Sequence, residues 1–149
     1  MEFETKVQFL TQPEHNRRTI VISDIHGHRA WLEKLLKKVD FSEKDILIIV
    51  GDMIEKGPES LNTIRYIMEL CEKYTVYPMM GNVDLWRIQM LLTEDGSLDQ
   101  ELYETNERMR QYWKATFFQD LCREAGVSVK TPEEIPAARE AVVAKFQKE

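Results

Sequence analysis

With 149 residues, 43% of them hydrophobic and 31% charged, the chain has ordinary globular composition and enough length for one core. Its formal net charge of −6 argues against general nucleic-acid or anionic-membrane binding, which calls for a basic excess that neutralises phosphates. The opening MEFETKVQFL has neither a basic n-region nor an apolar h-region, no apolar run approaches the ~20 residues of a membrane helix, and Cys71 and Cys122 are too few for a disulfide framework. The expectation is a cytoplasmic protein whose two thiols are reduced and sit in helix cores.

Residues 1–17, with Pro13, His15, Asn16 and Arg17, read as a polar arm leading into the first element. Thr19-Ile20-Val21-Ile22-Ser23 is a β-branched run stopping at Asp24, and Ile46-Leu47-Ile48-Ile49-Val50 is a second one stopping at Gly51-Asp52. Each holds a continuous apolar stretch, Ile20 to Ile22 and Ile46 to Val50, as strands buried on two faces would. A third run, Thr75 to Met80, stops at Gly81-Asn82, and Pro78 within it predicts an edge or a bulge. Between the strands, Trp31, Leu32, Leu35, Leu36 and Val39 keep helical spacing, as do Leu61, Ile64, Met68 and Cys71 after Pro58. The order β-α-β-α-β predicts an α/β fold with parallel strands and helical crossovers, in which ligands gather at the carboxyl ends of the strands.

The remainder is helical in pattern. Leu98, Leu102, Met109, Trp113, Phe117 and Leu121 fall at intervals of four or seven, ending near Gly126 as a C-cap. Thr131-Pro132-Glu133-Glu134 predicts a capping box opening a helix that turns Ile135, Ala138, Val142 and Phe146 inward, with Pro136 in its first turn. The chain divides into a core over residues 1–93 and a helical insertion or cap over 94–149.

Three short motifs carry chemistry. Ser23-Asp24-Ile25-His26-Gly27-His28 places a carboxylate and an imidazole two residues apart, on one side of an extended stretch, so that both can grip one ion. Carboxylate with imidazole suits manganese, iron or zinc. Gly51-Asp52-Met53-Ile54-Glu55-Lys56-Gly57-Pro58 adds a carboxylate and a cation, and Gly81-Asn82-Val83-Asp84 adds an amide oxygen. Alone, each has a bland reading: a strand-end Asp caps the next helix, and Gly-Asn is a common turn. Together they lie at three strand ends that converge in a parallel sheet.

The succession D-x-H-G, G-D-x-x-x-(R/K)-G and G-N-x-(D/E) over residues 19–90 resembles the amino-terminal signature of the calcineurin-like metallophosphoesterases, in particular the branch of bacterial protein Ser/Thr phosphatases and diadenosine tetraphosphatases. The resemblance implies that Asp24 and His26 bind one metal, Asp52 bridges two, and Asn82 binds the second, with manganese, iron or zinc as the two ions. It implies hydrolysis of a phosphate ester by a metal-activated water, with Lys56 at the place of a phosphate-binding arginine. Lysine there is a point charge without the guanidinium fork. It also implies one half of a four-layer αββα sandwich.

Two departures stand out. Where relatives carry a histidine that works with the following acid, here Asp84, to protonate the leaving group, this chain has Val83, so that His28 becomes the candidate proton donor. The family's later metal-binding histidines have no counterpart, because no histidine follows His28. The expectation is therefore the amino-terminal part of a phosphoesterase, with an uncovered apolar sheet face that a homodimer would bury. The alternative is a catalytically inactive metal-binding or interaction module that keeps the fold.

Overall fold

The computed structural model describes residues 17–89 and 114–146. Strands β1 (Thr19–Ile22), β2 (Ile46–Val50) and β3 (Thr75–Met79) form a parallel sheet in the order β1-β2-β3, as the strand and helix alternation predicts. Helices α1 (Arg29–Lys38) and α2 (Ser60–Lys73) make the crossovers, and α3 (Asn82–Gln89) follows β3. Pro78, opposite Ile49, is accommodated because β3 is an edge of this sheet and needs no donor on its outer side. Arg17 and Arg18, read from sequence as part of an irregular arm, instead fasten the amino ends of the strands. Arg17 donates to the Asp45 carbonyl (2.9 Å) and Thr75 Oγ1 (2.8 Å), and Arg18 holds the buried Asp45 carboxylate through two contacts of 2.9 Å.

Among the described residues, helices cover the strands on one face, so the doubly buried strands suggested by the apolar runs are not formed and part of the other face is open, as expected for a sheet with one face uncovered. Successive crossovers of one hand across a sheet ordered 1-2-3 deliver both helices to the same side. Leu32 and Leu36 of α1 and Ile67 and Leu70 of α2 pack there on Leu47, Ile49, Ile20, Ile22 and Val76. On the opposite face Val21 (59% exposed), Val50 and Met79 meet solvent.

Helix periodicity is right while the chosen face is not. In α2 the inward residues are Leu61, Thr63, Ile67 and Leu70, whereas Met68 and Cys71 are exposed, so Cys71 is not a core thiol. In α1, Trp31 and Leu35 are exposed beside the buried Leu32 and Leu36.

After residue 113 come α4 (Thr116–Ala125), a 3-10 turn (Pro132–Glu134) and α5 (Ile135–Phe146). Gly126 ends α4 in the left-handed conformation at φ 75°, as its cap role requires. The capping box forms: Glu134 accepts from the Thr131 N–H (3.3 Å) and the Lys130 N–H (2.7 Å). Pro136 then falls in the first turn of α5, where a missing N–H leaves no bond unmade. Ile135, Ala138 and Val142 face inward as expected, but α4 contributes Phe118 and Cys122 to this second core, with Phe117 and Leu121 only partly covered. Burial pushes the Cys122 thiol up to about 11. The rest of the predicted helical stripe, Leu98 to Trp113, and the arm with His15 lie outside the described residues.

Candidate metal centre

All three motifs lie at the carboxyl ends of the strands. β1 ends at Ile22, and the residues beyond it are not extended: Asp24 and His26 have φ of 56° and 47°, both in the left-handed region. The two side chains share one side because the loop coils, not because of strand pleating. Asp52 (φ 53°), Glu55 (69°) and Lys56 (66°) repeat this in the second loop. Such conformations each cost L-residues on the order of 1 kcal/mol and persist only where surrounding contacts dictate them.

Those contacts are mostly main chain to main chain. The His26 and Gly27 amides donate to the Asp52 and Met53 carbonyls (2.9 and 2.8 Å), and the Gly57 amide donates back to the His26 carbonyl (2.8 Å). Glycine is required where the loops touch. A Cβ on Gly81 would fall on the Asp52 carboxylate and amide, and one on Gly51 would fall on Gly81 itself.

Asp24, His26 and Asp52 offer ligand atoms that all lie within 4.8 Å of one another. His26 Nε2 is 3.4 Å from Asp24 Oδ1 and 3.7 Å from Asp52 Oδ2. The His26 Nδ1 is 3.1 Å from the Ile54 carbonyl, an acceptor only, so the proton sits on Nδ1 and the Nε2 lone pair faces the two carboxylates. Lys56 Nζ donates to that nitrogen at 2.7 Å. Two carboxylates and an imidazole lone pair converging on one point repel unless a cation lies among them, and mixed oxygen and nitrogen donors fit a divalent first-row metal. The donor set therefore suits the ions implied by the resemblance.

The other predicted site residues divide. Asn82 opens α3 between two residues that touch Asp52, because Gly81 packs on its carboxylate and the Val83 amide donates to its Oδ1 (3.2 Å). His28 is the residue before α1, makes no side-chain cap, and stacks on Trp31 with ring centroids 4.9 Å apart. A groove of about 360 Å³, bordered by Asp24, His26, His28, Trp31 and Lys56, opens beside the cluster.

Asp84, the acid that the resemblance sets beside the missing histidine, is engaged by backbone amides. It is buried, its Oδ1 accepts from the Met53 and Ile54 amides (2.9 and 3.2 Å), and its Oδ2 accepts from the Gly81 amide (2.9 Å). Three backbone donors make it a clamp between the second and third loops.

Glu55 went unnoticed in the sequence. It is buried, pairs with Arg87 of α3 at 3.2 Å, and accepts from the amides of Thr116 and Phe117 at the start of α4 (3.0 and 3.3 Å). No local signal marks it, since its partners lie 61 and 62 residues further along the chain.

Comparison with known proteins points to a family. A family model described as calcineurin-like phosphoesterase matches residues 17–133. The chain is 46% identical over 68 residues to a symmetrical bis(5'-nucleosyl)-tetraphosphatase of Shewanella loihica, covering 45% of this chain and 24% of that protein. It is 45% identical over 65 residues to one of Buchnera aphidicola, covering 43% and 23%, and 34% identical over 92 residues to one of Coxiella burnetii, covering 61% and 30%. A crystal structure of a protein inferred to be a diadenosine tetraphosphatase aligns at 37% identity and a TM-score of 0.47, over 54% of this chain and 35% of that one. The chain thus spans between 23% and 30% of the length of these curated relatives.

Proposed function

The chain belongs to the calcineurin-like phosphoesterase family, and from that premise we propose that it serves metal-dependent hydrolysis of a phosphate ester or anhydride, with Asp24, His26, Asp52 and Asn82 as metal ligands. The observation that carries this reading is the convergence of Asp24, His26 and Asp52 within 4.8 Å, with the His26 Nε2 lone pair aimed into the cluster. Bound divalent ions, manganese, iron or zinc, would supply Lewis acidity toward the phosphoryl oxygens and an activated water. Residues 1–93 act as the core that carries the site, and 94–149 as a helical insertion beside it.

Within this scheme each side chain has a task. Asp52, least exposed of the two carboxylates, holds the centre of the cluster, with its Oδ1 fixed by the Val83 amide. Lys56 moves from the Nε2 lone pair to the phosphoryl oxygens, where its ammonium offsets negative charge. His28 borders the groove and is the residue placed to protonate a leaving group. Valine at position 83 matters less when the leaving group is a phosphate, which carries its charge without a proton. This favours the nucleotide polyphosphates for which the relatives are named over an alkoxide ester. The reaction is cytoplasmic, and two chains associate through the exposed sheet face of Val21, Val50 and Met79.

The test is titration calorimetry with manganese and with zinc on the chain, on Asp52→Asn and on His26→Ala. The expected result is measurable binding of one ion that both substitutions abolish. Unchanged affinity in both variants would refute the ligand assignment. Intact binding with no hydrolysis of any phosphoryl substrate would favour an inactive metal-binding module.

A further inference from the structure

The second loop is held from three directions. His26 and Gly27 bond it from the first loop, Asp84 clamps Met53 and Ile54 from the third, and Glu55 ties it to the helical segment. The first two contacts belong to the metal cluster itself, but the third does not. Helix α4 begins after Ala115, whose methyl group cannot cap it, and no side chain of its own takes its first amides. Glu55 does so instead, with both carboxylate oxygens: Oε2 accepts from the Thr116 amide (3.0 Å) and hydroxyl (3.3 Å), and Oε1 accepts from the Phe117 amide (3.3 Å) and forms an ion pair with the Arg87 guanidinium (3.2 Å). The buried Ser60 hydroxyl, 2.9 Å from the Thr116 hydroxyl, receives the Glu55 amide at 2.9 Å, so main chain and side chain of Glu55 both reach the start of α4. Further along α4, Asp120 accepts from the Leu61 amide (3.2 Å) and Glu124 pairs with Arg65 (2.7 Å).

Glu55 and Lys56 are consecutive residues in the left-handed conformation, at φ 69° and 66°. A side chain fixed on one of two such residues fixes the direction of the next. We propose that Glu55 is a positioning residue: by capping α4 it holds the loop so that Lys56 points at the metal cluster, and the helical segment thereby sets how well the site grips a phosphoryl group. The inference rests on the assignment of Lys56 to the phosphoryl oxygens. Its physical content is a remote helix cap that doubles as a hinge stop. The partial positive charge at the start of α4 and the Arg87 cation both attract the Glu55 carboxylate, so the anchor holds without a contact to the ligand.

Two substitutions break the anchor from opposite sides. Glu55→Ala removes the acceptor. Thr116→Pro removes the Thr116 amide and hydroxyl donors, leaving only the Phe117 amide and Arg87 on Glu55, while sparing the helix, because proline suits the first helical position and Ala115 already has the extended conformation (φ −63°, ψ 130°) that proline demands of its predecessor. Each is measured with and without Lys56→Met. The readouts are the affinity of the manganese-loaded chain for inorganic phosphate by calorimetry and, in the metal-free chain, the ¹⁵N shift of His26 Nε2. Lys56→Met alone should weaken phosphate binding by about tenfold, the scale of one charge-assisted contact. Glu55→Ala and Thr116→Pro should each weaken it several-fold and move the Nε2 shift toward that of Lys56→Met, and should add nothing in the Lys56→Met background.

A merely structural role predicts otherwise. Reduced melting temperature with unchanged phosphate affinity and unchanged Nε2 shift would overturn the proposal, as would effects of equal size in the presence and absence of Lys56. If Lys56→Met itself leaves phosphate binding untouched, the assignment of Lys56 falls and the positioning role falls with it. That outcome is distinct from one in which Lys56 matters and Glu55 does not. Should Glu55→Ala fail to fold, Thr116→Pro decides the matter alone.

Discussion

Replacing Asp84 by asparagine separates the clamp read from the structure from the catalytic role that the resemblance implies. The exchange keeps shape and volume, so no cavity forms. Asparagine retains one carbonyl oxygen, which can still receive the Met53 and Ile54 amides now at 2.9 and 3.2 Å, but as neutral bonds of about half the strength. Its NH₂ group then confronts the Gly81 amide, which at present donates to Oδ2 at 2.9 Å. One buried donor left without an acceptor costs about 1–3 kcal/mol, and weakening the two charge-assisted bonds adds about 0.5–1 kcal/mol each. The sum is about 2–5 kcal/mol, a large part of the roughly 5–15 kcal/mol typical of a domain. Urea unfolding at pH 7 should show the midpoint falling with the slope unchanged, and the melting temperature should drop by about 6–15 °C. A loss below about 0.5 kcal/mol would refute the clamp. Full stability with lost hydrolysis would restore Asp84 to the catalytic role.

Gly81→Ala should cost more metal affinity than any other single methyl addition in the site, because the new Cβ lands on the Asp52 carboxylate and amide; calorimetry showing native affinity would contradict the close approach. The Arg18 guanidinium, with the Ser42 amide, lowers the Asp45 carboxyl from its ordinary value to about 2. A depressed carboxyl stabilises the fold above the unfolded value near 3.8 and loses that contribution as pH falls toward 2. Stability should therefore decline between about pH 4 and 2, and Arg18→Gln should flatten this part of the profile in denaturant titrations; an unaltered profile would count against the pair. The exposed face of Val21, Val50 and Met79 should bind a hydrophobic dye or drive dimers seen by sedimentation, and Val21→Lys should suppress both. A dye-silent monomer would show that the face is covered.

Much of the fold was legible because unbroken β-branched runs and abrupt Gly-Asp or Gly-Asn endings are local signals. The parallel pairing and the three motif positions at strand ends followed from them. The inward faces of α2 and α4 did not. In α2, Leu61, Ile64, Met68 and Cys71 form one apolar stripe and Thr63, Ile67 and Leu70 another, a residue away, and periodicity alone ranks them by hydrophobicity. Contact with the sheet chose the stripe containing Thr63, whose hydroxyl is satisfied by the Glu59 carbonyl at 2.7 Å and so can be buried. Phe117 and Leu121 against Phe118 and Cys122 is the same ambiguity in α4.

At the site, residue types and spacing named the cluster, but the reason they gather was misread. Alternation along a strand was expected, and successive left-handed residues were found. Asp84 and Glu55 show the limit of local reasoning. Both are acids beside motif residues, and only the distant amides they meet distinguish a loop clamp and a helix cap from a proton carrier or a solvated charge.

The loops of the centre meet through carbonyls, amides and glycines, with few side chains interposed, and this shapes how the protein can change over time. Residues such as Met53 and Val83 contribute main-chain groups to the ligand geometry, so many side-chain replacements there would leave the metal site in register. At Gly51 and Gly81 the opposite holds, since neither can acquire a side chain unless the backbone of the other retreats. A saturation library selected for metal binding would then be permissive at the first pair and blank at the second. Tolerance would follow which atoms touch, not how near a residue stands to the ions, so sequence drift could reshape the substrate groove while leaving the centre untouched.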